Sequence, residues 1–174
     1  HVADPAKSLA AFRVAHVIEA KLHPEADRLQ VCMVDTGEGA PVQVVCGAPN
    51  ARAGLKVVFA PPGAYVPGSG ITLKKSKIRN VESAGMLCSA RELELGDEHD
   101  GIIELPADAK VGTPAANVLG VDDPVFDVAI TPNRADCLGI HGIARDLAAK
   151  GVGHLKPLKP AIIKGFGVRP INVT

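Results

Sequence analysis

The chain of 174 residues has no Trp, one Tyr and four Phe, so it offers little aromatic surface on which unpaired bases could stack. Tyr65 is the only aromatic residue near the turn-rich segments. Nor is there an excess of charge: 19 Lys plus Arg are matched by 19 Asp plus Glu, which leaves no long-range field to gather a polyanion or an anionic membrane. Any nucleic-acid contact must be local. The four cysteines, Cys32, Cys46, Cys88 and Cys137, include no Cys-x-x-Cys pair, which argues against a zinc ribbon, a dithiol redox site or a disulfide scaffold. No apolar run is long enough to span a bilayer and no signal peptide is visible, so the expectation is a cytoplasmic chain without a membrane partner, its cysteines buried as small hydrophobes. The Gly-rich phosphate loops that end in Gly-Lys-Ser/Thr or read Gly-x-Gly-x-x-Gly are also missing.

Turn residues, by contrast, are plentiful. With 18 Gly, 14 Pro and 47% hydrophobic residues, the composition fits many short strands around an aliphatic core. Strands are expected at 12–22, 28–35, 41–46, 55–60, 71–79, 81–89 and 102–105, spaced as in a small barrel or sandwich. In 28–35, Leu29, Val31 and Met33 share one face, and Arg28, Gln30 and Cys32 the other. The 47–54 connection should be shaped, because Gly47 and Gly54 permit positive φ, Pro49 extends Ala48, and Asn50 tolerates a left-handed turn. Residues 1–11 read as a linker or cut end. From 119 onward the pattern changes to a strand at 123–130, a loop, and a helix at 137–150 with Asp136 as N-cap and Gly151 just past its end. Ile140, Ile143, Ala144 and Leu147 would form its apolar stripe. The tail 152–174, with three Pro and three Gly, has no period.

Charge is concentrated in one place. Lys74-Lys75-Ser76-Lys77-Ile78-Arg79 places Lys75, Lys77 and Arg79 in a row on a period of two, answered by an acidic run of Glu92, Glu94, Asp97, Glu98 and Asp100. Both runs also suit solvated surface. A nucleophile at Cys46 with His16 or His23 as base lacks an orienting carboxylate, and His23, Cys32, Cys46 and Cys88 lack metal-ligand spacing, so no catalytic or metal residue is assigned. A small barrel with a row of cations and shaped loops fits a phosphate-contacting RNA module better.

Several motifs occur in order: Phe12-Arg13-Val14-Ala15-His16-Val17, His23-Pro24-x-Ala26-Asp27-Arg28-Leu29, Val34-Asp35-Thr36-Gly37, Val44-Val45-Cys46-Gly47-Ala48-Pro49-Asn50-Ala51-Arg52, Lys77-Ile78-Arg79-x-Val81-Glu82-Ser83-x-Gly85-Met86-Leu87-Cys88-Ser89, His99-Asp100-Gly101-Ile102-Ile103-Glu104-Leu105-Pro106 and Thr131-Pro132-Asn133-Arg134-x-Asp136-Cys137-Leu138. Over about residues 12–155 this series resembles the N-terminal region of the β subunits of bacterial phenylalanyl-tRNA synthetases. Asn80 stands where the related motif commonly has Gly, and Ala135 where many members carry Pro.

The resemblance implies a mainly β chain: a five-stranded OB-fold barrel with extra short strands at 12–118, which binds tRNA, followed by a partial α/β segment at 119–174 from a neighbouring domain whose first helices precede the barrel. It also implies a class II ligase working in protein biosynthesis, an (αβ)₂ tetramer that joins phenylalanine to its tRNA with ATP and magnesium. The aminoacylation site would lie on the α subunit and the editing site beyond residue 174, so the fragment itself would be non-catalytic and hold no cofactor. Its expected partners are tRNA for phenylalanine, the α subunit and the other β-subunit domains. The expected tRNA contacts are Arg52, Lys74, Lys75, Lys77 and Arg79, with Ser83, Gly85 and Met86 shaping the adjoining surface. The competing expectation is an assembly module with little direct tRNA contact.

Overall fold

The structure, a computed structural model, describes residues 2–162, so the end of the tail, 163–174, lies outside the described residues. The chain divides into two compact units, His1–Asp127 and Val128–Thr174. In the first, the order is β1 (Val2–Ala3), α1 (Pro5–Ser8), β2 (Arg13–His23), β3 (Ala26–Asp35), β4 (Val42–Cys46), β5 (Lys56–Ala60), β6 (Tyr65–Val66), β7 (Ile71–Thr72), β8 (Ser76–Ile78), β9 (Val81–Ser83), β10 (Met86–Leu87), β11 (Glu104–Leu105), α2 (Ala115–Leu119) and β12 (Val125–Phe126). The expected mainly β fold is present.

The main sheet is antiparallel in the order β10-β5-β2-β3-β4, with β11 also paired to β5. Its ladder is an open path. Side by side with β4 runs the β8–β9 hairpin, joined to it through the Ala84 backbone amide donating to the Gln43 carbonyl (2.8 Å), the Gln43 side-chain Nε2 donating to the Glu82 carbonyl (2.8 Å) and the Val45 backbone amide donating to Ser83 Oγ (3.1 Å).

The central strands are buried on both faces, which explains why 57–60 reads as an unbroken apolar run. Val57 and Phe59 join Ala15, Val17, Cys32, Val34, Val44 and Leu87 in one core. Val58 and Ala60 join Phe12, Val14, Val66, Cys88 and Ala116 in a second core on the other side. Residues near the N-terminus, read from composition as a linker, contribute to this second core: Asp4 Oδ1 accepts the Lys7 amide at the start of α1, and Leu9 is 1% exposed. In β3 the core face carries Cys32 and Val34, whereas Leu29, Val31 and Met33 are half-buried.

The second unit carries a 3-10 turn, Ala135–Cys137, and α3, Ile140–Ala149. The helix starts later than expected, with Gly139 as N-cap. Asp136 does not cap it because its carboxylate binds the Arg134 and Arg145 guanidinium groups. Gly142 permits this packing: a Cβ there would fall 1.8 Å from the Asp136 carbonyl oxygen. Gly151, at φ +80°, follows the helix as expected. Of the proposed apolar stripe, Ile143 and Ala144 are half-buried, while Ile140 and Leu147 are 88% and 49% exposed.

Candidate nucleic-acid interface

The cationic segment folds as a tight hairpin. β8 pairs with β9 through Ser76↔Ser83, Lys77↔Glu82 and Ile78↔Val81, and the two-residue tip is Arg79 (φ +45°) and Asn80 (φ +66°). Two consecutive left-handed residues match the twist of an antiparallel pair, and Asn tolerates this conformation better than most side chains. The strand therefore ends before Arg79, which stands at the tip instead of extending the row of Lys75 and Lys77. Lys74, Lys75, Lys77 and Arg79 are all exposed. Lys77 approaches Glu82 at 3.9 Å, a solvated pair that leaves its charge largely available.

The base of the hairpin opens onto two grooves. A groove of about 380 Å³ is lined by Lys74, Ser76, Ser83, Gly85 and Met86 on one side, with Glu92 and Asp100 also on its wall. A second, of about 240 Å³, is lined by Lys75, Lys77, Glu82 and Ser83. Four of the expected contact residues, Lys74, Ser83, Gly85 and Met86, thus share one groove, and Lys75 and Lys77 line the next together with Ser83, which borders both. Gly85 has φ +136°, and a Cβ there would meet the Phe59 ring at 2.4 Å and the Ala60 carbonyl at 2.6 Å. Only glycine fits without moving the core strand beneath the groove.

Arg52 stands apart from this group. Its guanidinium forms a forked pair with Glu104, 2.9 and 2.8 Å, and donates to the Asn50 carbonyl at 3.2 Å. Hydrogen bonds from Arg52, and then from Asn50, hold the Glu104 carboxyl below its ordinary range. Sequence reasoning missed this partner because Glu104 lies 52 residues away on a short strand. It also misread how Asn50 shapes the loop. Asn50 and Gly47 do not adopt positive φ; of the expected positions only Gly54 does, at +90°. Instead the Asn50 side chain accepts the Ile102 amide and donates to the Ile102 carbonyl, both at 2.9 Å.

The cysteines are poorly suited to nucleophilic chemistry. Burial pushes the Cys46 thiol up, raises Cys32 to about 11 with Cys46 adding to the effect, and raises Cys88 further. Both ring nitrogens of His23, a candidate base, are engaged in hydrogen bonds, to the Glu25 amide and the Ile78 carbonyl. Among the described residues, the grouping of metal-type donors is Asp136, Cys137 and Asp146 in the second unit, not His23 with Cys32, Cys46 and Cys88. The two carboxylates of that group are already paired with Arg134 and Arg145.

The observation that decides the family is a match over residues 12–114, more than half of the chain, to the family described as "Putative tRNA binding domain". The chain belongs to that tRNA-binding domain family. It is 61% identical over 172 residues to the phenylalanine–tRNA ligase β subunit of Novosphingobium aromaticivorans, and 59% identical over 170 residues to that of Brucella abortus. These alignments cover 99% and 98% of the chain but 22% and 21% of the relatives, so the chain spans about a fifth of their length. A MetRS related protein from Pyrococcus horikoshii is 27% identical over 58% of the chain and 84% of its own, with a TM-score of 0.42. The tRNA-binding match contains the hairpin, both grooves and the Arg52–Glu104 pair.

Proposed function

We propose that the chain is a tRNA-binding accessory module of a phenylalanine–tRNA ligase β subunit, acting without catalysis of its own. What carries this reading is the gathering of Lys74, Lys75, Lys77 and Arg79 on one hairpin within the tRNA-binding match. A neutral chain with scant aromatics would hold RNA through phosphate contacts from this hairpin, without stacked bases. Ser83, Gly85 and Met86 form the groove beside it, and Arg52 joins the contact by exchanging Glu104 for a phosphate. In the full ligase this module would serve the joining of phenylalanine to its tRNA in the cytoplasm, within an (αβ)₂ tetramer. The α subunit would supply the ATP- and magnesium-dependent chemistry.

The test is a titration of the 174-residue chain with tRNA for phenylalanine at several salt concentrations. Log affinity should fall linearly with log salt, with a slope set by a few phosphates. Lys75→Glu with Lys77→Glu should weaken binding and flatten the slope; binding unaffected by the two reversals, or none at low salt, would reject the reading. A second reading, assembly, is favoured by the exposed apolar residues Leu138, Ile140 and Val152 of the second unit. Charge reversal that impairs the tetramer while leaving tRNA affinity intact would select it.

A further inference from the structure

We infer that the corner formed by His23, Pro24 and Glu25 is a positioning element for RNA binding, which sets where the tip of the cationic hairpin stands. The inference rests on the proposed RNA contact. The hairpin belongs to no ladder of the main sheet, so its placement depends on attachments at its two ends. At the base these run through Gln43, Val45, Glu82, Ser83 and Ala84. At the tip they come from residues more than 50 positions earlier in the chain.

The tip attachment is specific in every bond. His23 is 4% exposed, and its Nδ1 accepts the Glu25 amide at 3.0 Å. An amide can only donate, so Nδ1 carries the lone pair and the proton resides on Nε2, which donates to the Ile78 carbonyl at 3.1 Å. Arg79 donates from Nη1 to the Glu25 carbonyl at 2.6 Å, and Asn80 donates from Nδ2 to the Glu25 carboxylate at 3.2 and 3.4 Å. Two tight turns therefore grip each other. Because the acceptor for Arg79 is a neutral carbonyl, its cation is oriented without being neutralised. That contrasts with Arg52, whose guanidinium faces a carboxylate.

A hairpin held at its tip presents Lys77 and Arg79 in one fixed arrangement, which saves the ordering that binding several phosphates at once would otherwise require. Loss of the tether should reduce the number of phosphates engaged together. A merely structural role would lower stability without that change in salt dependence.

The test compares single variants of the 174-residue chain, titrated with tRNA for phenylalanine across salt concentrations and followed by thermal unfolding. His23→Gln places an amide nitrogen near Nε2 and keeps the donor to Ile78; His23→Asn keeps only the acceptor near Nδ1. Asn80→Gly preserves the left-handed tip and removes the side-chain bond to Glu25. The expected result is near-native binding for His23→Gln and a loss of about three- to tenfold for His23→Asn, with a salt slope lower by up to about one. Asn80→Gly should lose affinity in the same direction at unchanged Tm. If His23→Asn fails to fold, Asn80→Gly alone decides. Native affinity and slope in the folded variants, while the Lys75 and Lys77 reversals abolish binding, would overturn the inference and leave the RNA reading standing. Equal losses for His23→Gln and His23→Asn would also overturn it. Native binding by the lysine reversals would instead reject the RNA reading itself.

Discussion

Ser83 Oγ accepts the Val45 amide at 3.1 Å and donates to the Gly85 carbonyl at 3.2 Å, so one hydroxyl joins β4 to the turn that leads into β10. The residue is 3% exposed, and Val45 lies on the edge strand of an open ladder, where this amide faces away from β3. Ser83→Ala would leave the Val45 amide buried and unpaired, at a cost of about 1–3 kcal/mol. Thermal unfolding should show a fall of about 2–4 °C for each kcal/mol lost. A Tm equal to that of the unmodified chain would mean that the seam does not depend on this bond.

Asn50 pairs with Ile102 as a strand residue would, accepting from its amide and donating to its carbonyl, and its amide nitrogen also reaches Glu104 Oε1 at 3.1 Å. Asn50→Ala removes the partners of both the amide and the carbonyl of Ile102 and should destabilise the chain by about 1–3 kcal/mol. Asn50→Asp keeps the acceptor but turns a second acceptor toward the Ile102 carbonyl and the Glu104 carboxylate, so at neutral pH it should be at least as damaging. Denaturant unfolding checks the order; an Asp variant more stable than the Ala variant would contradict the geometry.

How much of this was legible in the sequence depended on how far apart the partners lie. The runs at 55–60 and 41–46 declared themselves because β-branched residues fill strands with buried faces. The hairpin was legible as a charged strand to 79 and a second strand from 81 with a break at Asn80, but the place of Arg79 within that turn was not. A period-two row runs through Arg79, whereas the chain turns there, and the grip of His23 and Glu25 on that turn spans more than 50 residues. In β3 alternation pointed to Leu29, Val31 and Met33 as the core side, because Arg28 and Gln30 share a face with Cys32 and Val34; the core takes only the end of that face, at Cys32 and Val34, and leaves Arg28 exposed. Asp136 had the right residue type for an N-cap and lost that role to two arginines, one of them nine residues ahead. Asn50 was read through its backbone tolerance when its side chain does the bridging.

The Arg52–Glu104 fork makes a prediction with a sign opposite to that of most charge removals near a structural pair. Glu104→Gln abolishes the carboxylate that faces Arg52 and can still accept from Asn50 with its amide oxygen. If Arg52 reaches RNA by exchanging Glu104 for phosphate, this variant should bind tRNA more tightly and steepen the salt slope by up to about one. Arg52→Ala should weaken binding less than Lys75→Ala, because Arg52 must break its pair with Glu104 to reach a phosphate and its net contribution is smaller. An unaltered slope in Glu104→Gln would place Arg52 outside the RNA contact.

In the second unit Arg134 bridges Asp136 and Asp146, Arg145 pairs with both, and Cys137 Sγ donates to Asp146 Oδ2 at 3.4 Å. Hydrogen bonds from Arg134 hold the Asp146 carboxyl below the ordinary range, with Cys137 adding to them, and those from Arg134 and Arg145 do the same for Asp136. A carboxyl lowered on folding stabilises the folded state at any pH above its unfolded value, about 3.9, and loses that contribution as pH falls through its folded value. The turn at Ala135–Cys137 and the start of α3 should therefore stay intact at neutral pH and loosen progressively on acidification below about pH 4. Salt should weaken the network at neutral pH as well, because the four charged side chains are 40–46% exposed. Amide exchange of Ile143 and Ala144 followed from pH 6 downward measures this directly, with Asp136→Asn as control: that variant should begin less protected and show a shallower acid dependence. Equal acid dependence in the two chains would show that the carboxylate does not hold the helix start in place.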